Sequence, residues 1–252
     1  MSWMGKILGG GLGFVFAGPI GAVLGAVIGH HAMDSGSSGG GDGGGFSSLE
    51  SKQGIYFGAT FSMLGKLAKA DGVVTAQEIE VIDRVMRDNL RLDSRARQFA
   101  IEIFNEAKDS DQEFEDFARQ FYMEFGDSPE MLGSLIELLL LVAHADGELH
   151  EAEDSMILKA VRIFGLQDHY QQLRGRFSGV PDNIGTFYEI LGCREGDDIS
   201  VVKKKYRKLA MEYHPDRVQA QGLPPEFANA AEDKFKEIQH AYDMVEKHVN
   251  NK

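Results

Sequence analysis

The sequence predicts an all-α protein, and three observations carry that prediction. Apolar residues recur three and four positions apart through most of the 252 residues. Helix-start signals stand in front of several of these runs. A 23-residue stretch near the N-terminus, Ile7 to Gly29, carries no charge at all. The expected architecture is an N-terminal transmembrane helix, a bundle of about seven helices and a C-terminal helical hairpin. In residue limits, 1–34 is the span, 35–48 a linker, 49–177 the bundle, 178–185 a second linker and 186–252 the hairpin.

At about 1.5 Å per residue, Ile7–Gly29 is long enough as a helix to cross a bilayer core. Gly21, Gly25 and Gly29 repeat a G-x-x-x-G spacing that lets two helix backbones approach closely in lipid, so a homodimer through the span is expected. Pro19 is placed to kink the span, and Trp3 sits where an interfacial aromatic belongs. The residues after Gly29, His-His-Ala-Met-Asp, are a poor match to a signal-peptide cleavage site. A buried soluble helix is disfavoured by its glycines; a glycine-rich hairpin lying in the membrane is the remaining alternative. Only Lys6 flanks the span before Lys52, so charge alone does not set its orientation.

Ser35 to Ser48, SGSSGGGDGGGFSS, has the composition of a flexible linker with an end-to-end distance of roughly 20 Å. The bundle follows. Phe57, Phe61, Leu64, Leu67 and Ala68 form one apolar stripe; Ile79, Ile82, Val85 and Met86 form the next. Phe99, Ile103 and Phe104, then Phe114, Phe117 and Phe121, then Leu132 to Ala143, and then Ile157, Val161 and Phe164 continue the pattern. Thr75 with Glu78 reads as a capping box, Asp93 and Asp111 as N-caps, and Pro129 as a first helical residue.

Within the bundle lies a repeat: Ala70-Asp71-Gly72 followed by Glu78 is echoed by Ala145-Asp146-Gly147 followed by Glu153, at an offset of 75. This pattern resembles a TerB-type domain, the helical fold named for tellurite resistance. Four carboxylates, Asp71, Glu78, Asp146 and Glu153, are the candidates for a hard cation such as calcium or magnesium. Neither repeat fits the calcium-loop pattern, and glycines that end helices followed by acids that cap the next ones explain the same residues. No metal and no cofactor are therefore expected. His144 and His150 lack the companions a zinc site needs.

The C-terminal hairpin carries the sharpest motif, Tyr213-His214-Pro215-Asp216-Arg217. Before it runs a basic helix, Val201 to Met211, with Lys203, Lys204, Lys205, Arg207 and Lys208. Val202, Tyr206 and Leu209 give that helix an apolar stripe. Phe235, Ile238, Ala241, Tyr242 and Val245 do so for the helix after it, so the two can pack antiparallel. Phe187 to Gly192 supplies a short first helix that covers one end of the seam. Pro215 stops the basic helix and leaves His214 and Asp216 at the tip, with a long turn from Val218 to Phe227. Alone, His-Pro-Asp is a helix-stop turn. A catalytic His–Asp pair would need a nucleophile in reach, and no nucleophile motif is present.

Between these two helices the tripeptide resembles that of a J-domain, the module by which co-chaperones activate DnaK-type chaperones. The resemblance implies a protein contact. His214, Pro215 and Asp216 would engage the partner near its interdomain linker. The basic face with Lys203, Tyr206, Arg207 and Lys208, extended by Arg217, would meet an acidic surface. Such charges mainly steer encounter and fix register.

Composition bounds the rest. The formal charge of −13 excludes a general nucleic-acid binder. Leu49–Gly185 holds 14 Lys/Arg against 25 Asp/Glu, and Thr186–Lys252 holds 11 against 12, so the bundle carries nearly all the excess acid. A single cysteine, Cys193, precludes an intrachain disulfide.

With its N-terminal span, TerB-like bundle and C-terminal J-domain in that order, the chain resembles the DjlA family of membrane-anchored co-chaperones. The expected function is stimulation of a DnaK-type ATPase at the bacterial inner membrane. The protein would not itself be an enzyme. It would be single-pass, with a short N-terminus outside and both domains in the cytoplasm. The alternative is a membrane-tethered adaptor or envelope-stress signalling protein whose bundle recruits a partner.

Overall fold

The computed structural model describes residues 4, 18–34, 47–70, 72, 74, 76–144, 149–167, 170 and 184–250, with the side chains of 31–34 and 76–78 excepted. Eleven α-helices stand among the described residues, which contain no strand: α1 (Gly18–Asp34), α2 (Ser48–Ala68), α3 (Ala76–Arg84), α4 (Ser94–Asp109), α5 (Phe114–Phe125), α6 (Pro129–Ala143), α7 (Glu151–Phe164), α8 (Ile184–Ile190), α9 (Ile199–Glu212), α10 (Pro215–Gln221) and α11 (Ala228–Asn250). Helices α2 to α7 make the bundle and α8, α9 and α11 the hairpin unit. The fold is all-α, as the periodicity predicts.

Helix α2 is the bundle's axis. From Gln53 to Ala68 it is buried on every side except at Lys66. Ser47 and Glu50 start it with a reciprocal capping box: the Glu50 N–H donates to Ser47 Oγ at 3.2 Å, and the Ser47 N–H donates to the Glu50 carboxylate at 2.8 Å. Helix α2 thus begins at Ser48, inside the stretch whose composition reads as linker, because Ser47 already serves as its cap. Phe57 packs on Phe61 and Phe99, at centroid distances of 4.7 and 5.9 Å, and Phe121 packs on Phe125 and Phe164 at 4.6 and 5.7 Å. With Tyr56 edge-on to Phe121 at 5.5 Å, these aromatic pairs tie α2, α4, α5 and α7 into one core.

The caps follow the sequence in part. Asp93 caps α4, accepting from the Ala96 N–H at 2.7 Å, and Pro129 opens α6. Asp111 does not cap α5. That helix begins at buried Phe114, and the Glu113 N–H donates to the Asp116 carboxylate at 3.1 Å. The start is set by the need to bury Phe114, Phe117 and Phe121 together. Helix α3 runs into one wide π turn, Val85–Asn89, which turns Val85 and Met86 into the core. Thr75 lies outside the described residues.

Two elements differ from the sequence expectation. The first is the N-terminal segment. No described helix is long and apolar enough to cross a membrane. Among the described residues helix α1 begins at Gly18, so Pro19 sits in its first turn, where a missing N–H costs nothing. Ile20, Val23, Leu24 and Val27, a stripe at helical spacing, are buried against the bundle. The Ile20 N–H donates to Gln120 Oε1 of α5 at 2.8 Å, satisfying one free donor of the helix start. Gly58 of α2 makes the close approach possible: a Cβ there would lie 2.8 Å from Ile20 Cγ2 and 3.2 Å from Leu24 Cδ1. Trp3 and residues 5–17 lie outside the described residues.

The second is the long turn expected from Val218 to Phe227. It contains most of α10 and a 3-10 turn at Pro225–Phe227. Pro215 opens a helix as well as ending one. Val218, Leu223 and Phe227 are buried, and they belong to the bundle's core, not to the hairpin's own.

Gly58→Leu should overpack the α1–α2 contact at a cost of about 1–3 kcal/mol. The bundle should still unfold cooperatively, while limited proteolysis opens new cleavage within 18–34. Unchanged protection of that segment would show that α1 does not depend on the Gly58 approach.

Candidate functional site: the tip of the C-terminal hairpin

The hairpin unit has a small core of its own. Phe187, Tyr188 and Leu191 from α8 and its end meet Val202 of α9 and Ile238, Ala241, Tyr242 and Val245 of α11. Asp198 starts α9 by accepting from the Ser200 N–H at 2.8 Å, and this bonding holds its carboxyl below the usual range. Tyr206 stacks on Tyr242 at 4.2 Å with the rings 15° apart. Burial, reinforced by the bond its hydroxyl donates to Glu246 at 2.7 Å, pushes the Tyr242 phenol up to about 12. Tyr206 therefore joins the seam as well as the basic helix. Cys193 is buried in the same core, and burial raises its thiol pKa.

Burying Val202 fixes which face of α9 is wet. Lys203, Lys204, Lys205, Arg207 and Lys208 are all exposed. Lys208 meets Glu212 at 3.6 Å one turn on, and Lys205 reaches the Gly192 carbonyl. The basic face expected from the sequence is thus present.

At the tip, α9 ends at Glu212 and the chain turns through Tyr213 into α10. His214 is the N-cap of α10: its Nδ1 accepts from the Asp216 N–H at 3.3 Å, and Pro215 takes the first helical position. The His214 ring stands edge-on to Phe235 of α11 at 5.5 Å. The His214 side chain is 50 % exposed and that of Asp216 92 %. Both face solvent, and what they offer is a surface for a partner.

Sequence reasoning missed what lies beneath this tip. Arg217 Nη2 pairs with Glu130 Oε1 of α6 at 3.4 Å, and Gln221, one turn further along α10, donates to the same carboxylate. Glu130 is only 4 % exposed. Tyr213 Oη lies over Gly133, one turn along α6, 3.2 Å from where a Cβ would stand. Lys234 of α11 bridges Glu137 of α6 and Glu237, both at 2.9 Å. Below these pairs, Phe227 packs edge-on against Tyr56 and Phe57 at 5.1 and 5.9 Å. Gly222 closes α10 with φ +118°, and a Cβ there would lie 2.6 Å from Lys52 Cβ, so only glycine fits. A cavity of about 620 Å³ remains at the junction, lined by Ser134, Leu138 and Leu141 from α6 and by Tyr213, Leu223 and Lys234. The apolar spacing of Val218, Leu223 and Phe227 was the available signal for this docking, but nothing local says which core they join.

Of the four carboxylates of the repeat only that of Glu153 is described, and the described residues hold no cluster of metal-ligating side chains. Glu153 accepts from the His150 N–H at 3.2 Å, at the start of α7, as a capping residue does. Asp71, Asp146 and the Glu78 side chain lie outside the described residues. Of the glycines in α1, Gly21 is buried, while Cβ atoms at Gly25 and Gly29 would meet nothing within 4 Å.

Comparison with known proteins agrees with this layout. The family model of tellurite resistance protein TerB matches residues 58–174, that of the DnaJ domain matches 186–251, and that of the co-chaperone DjlA transmembrane domain matches 1–40. Three similar proteins are each described as co-chaperone protein DjlA. The one from Photobacterium profundum is 34 % identical over 96 % of this chain and 98 % of its own. Those from Vibrio cholerae and Coxiella burnetii are 32 % and 31 % identical, each over 98 % of both chains. The chain belongs to the DjlA family of co-chaperones. No solved structure matches it. The exposed tip is therefore the tip of a J-domain, and the bundle beneath it is the TerB-like domain of the same co-chaperone.

Phe227→Ala should remove about 3–5 kcal/mol of stability in denaturant unfolding, the cost of emptying a buried aromatic site. A loss under about 1 kcal/mol would mean that the docking of the tip on the bundle contributes little to the fold.

Proposed function

We infer that this co-chaperone stimulates ATP hydrolysis by a DnaK-type chaperone through its J-domain, as a regulator that carries out no chemistry itself. The observation that carries this reading is the pairing of an exposed His214-Pro215-Asp216 tip with the exposed basic face of α9. Lys203, Arg207 and Lys208 steer an acidic partner surface to the tip. His214→Gln in the full chain should leave the fold intact, at a cost of no more than about 0.5–2 kcal/mol for the lost cap of α10, and should abolish stimulation of a DnaK-type ATPase. Asp216→Asn should act alike. Stimulation at the parental level by either variant would remove the tip from the mechanism.

The family's transmembrane region and the uncharged Ile7–Gly29 stretch support anchoring in the bacterial inner membrane by a single pass. DnaK-type chaperones and ATP are cytoplasmic, which places the bundle and J-domain on that side and the short N-terminus outside. Ile20, Val23, Leu24 and Val27 pack on the bundle in this structure, so a span that includes α1 requires that helix to leave the groove at Gly58 and give the same stripe to lipid. Gly21, Gly25 and Gly29 support a homodimer of the spans. The test is Gly25→Leu with Gly29→Leu, since a Cβ at either position meets nothing within 4 Å among the described residues. The pair should leave the protein in the membrane and sharply reduce crosslinking between copies. Full crosslinking of the double variant would assign these glycines another purpose.

A further inference from the structure

We propose that Glu130 of the TerB-like bundle is a positioning residue of the J-domain tip, acting through Arg217 and Gln221 to fix the direction in which His214 and Asp216 face a partner. The inference rests on the J-domain reading above and adds a residue from the other domain to it.

The geometry runs through α10. His214 caps that helix and Pro215 and Asp216 are its first two residues, so whatever orients α10 orients the tripeptide. A helix of seven residues has little rigidity of its own. It is held instead from the bundle. Arg217 and Gln221 stand one turn apart on the same face and both close on the Glu130 carboxylate. Two attachments one turn apart fix the rotation of α10 about its axis. Val218, buried beside them in the bundle core, fixes its depth.

Glu130 suits the role. It lies in the first turn of α6, where the helix dipole favours a carboxylate, and it is withdrawn from solvent. A charge so placed is costly unless paired, which makes the pairing with Arg217 firm. Lys234 bridging to Glu137, two turns along α6, holds the start of α11 against the same face. The contact does not cover the tip, since Asp216 is 92 % exposed and His214 50 %. That exposure separates a support from a block. It also changes the part played by Arg217. The sequence places this residue on the partner, whereas the structure pairs its guanidinium with Glu130 while leaving the side chain 41 % exposed.

The test uses the full chain with a DnaK-type ATPase. Glu130→Ala should lower maximal stimulation on the order of tenfold, as misplacement of a reacting surface does. The concentration giving half-maximal stimulation should move little, because α9 still steers the encounter. Glu130→Gln, which keeps the shape and part of the bonding, should fall between. Arg217→Ala should match Glu130→Ala. The double variant should be no worse than either single, the non-additivity expected of two residues acting as one. The salt dependence of binding should stay parental in all of these, and should drop in Lys203→Glu with Arg207→Glu. Independently of activity, amide exchange in 215–221 should rise in Glu130→Ala while that in α9 stays unchanged.

A stimulating parent with an indifferent Glu130→Ala overturns the positioning role alone. So do multiplicative effects in the double variant with a flattened salt slope for Arg217→Ala, which would put Arg217 on the partner. A parent that does not stimulate at all overturns the J-domain reading itself. If Glu130→Ala fails to fold, Gln221→Ala removes one of the two attachments at the junction's edge and should show the same split between maximal stimulation and half-maximal concentration.

Discussion

Burial of α2 on every side is the constraint on which the rest of the structure depends. A helix without a wet face needs neighbours around its whole circumference, and each neighbour must present an apolar stripe. Helices α4, α5, α6 and α7 supply four of them: Phe99 of α4 meets Phe57, Phe121 of α5 meets Tyr56 and Phe164 of α7, and α6 brings leucines. The remaining circumference is filled from outside the bundle's own sequence limits. Helix α1 comes down on Gly58, and Val218, Leu223 and Phe227 come from the J-domain's tip. An axis that exposes hydrophobic surface unless both ends of the chain cover it makes those ends part of its fold.

The consequence for function is that the J-domain and the bundle share a core. The hairpin unit buries its own small cluster around Val202 and Tyr242, yet its partner-facing tripeptide begins a helix whose other side is bundle core. Charge reinforces the arrangement. The acidic excess of the bundle includes Glu130 and Glu137 on one face of α6. These two carboxylates meet Arg217 and Lys234 from the J-domain, while the lysines of α9 remain in solvent. Two sets of basic side chains in one small domain thus have different destinations. One set is turned to the bundle and the other to the outside.

Much of this was written in the sequence. The all-α class, the stripes of the bundle, the caps at Asp93 and Pro129, the hairpin seam and the exposed His214-Pro215-Asp216 tip follow from periodicity, punctuation and motif, because each depends on residues a few positions apart. Where local signals fell short, a distant partner decided the outcome. Asp111 is the better cap than Glu113 by residue type, but Phe114 had to be inside. The glycine-rich α1 reads as a span by hydropathy. Its stripe of Ile20, Val23, Leu24 and Val27 also fits a groove that exists only because Gly58, far along the chain, has no side chain.

The chain's own letters therefore determined what kind of elements form and which face of each is apolar, since helix period and capping act over a single turn or two. Only the tertiary structure decided which apolar faces meet. Phe227 could have closed the J-domain's own seam, and Arg217 could have stood free for a partner; each instead completes a contact with α2 or α6. The physical reason is that hydrophobic burial is non-directional and carries no address. The address comes from shape and from single buried charges such as Glu130, whose need for a partner is met by whichever cation the assembled fold brings within reach.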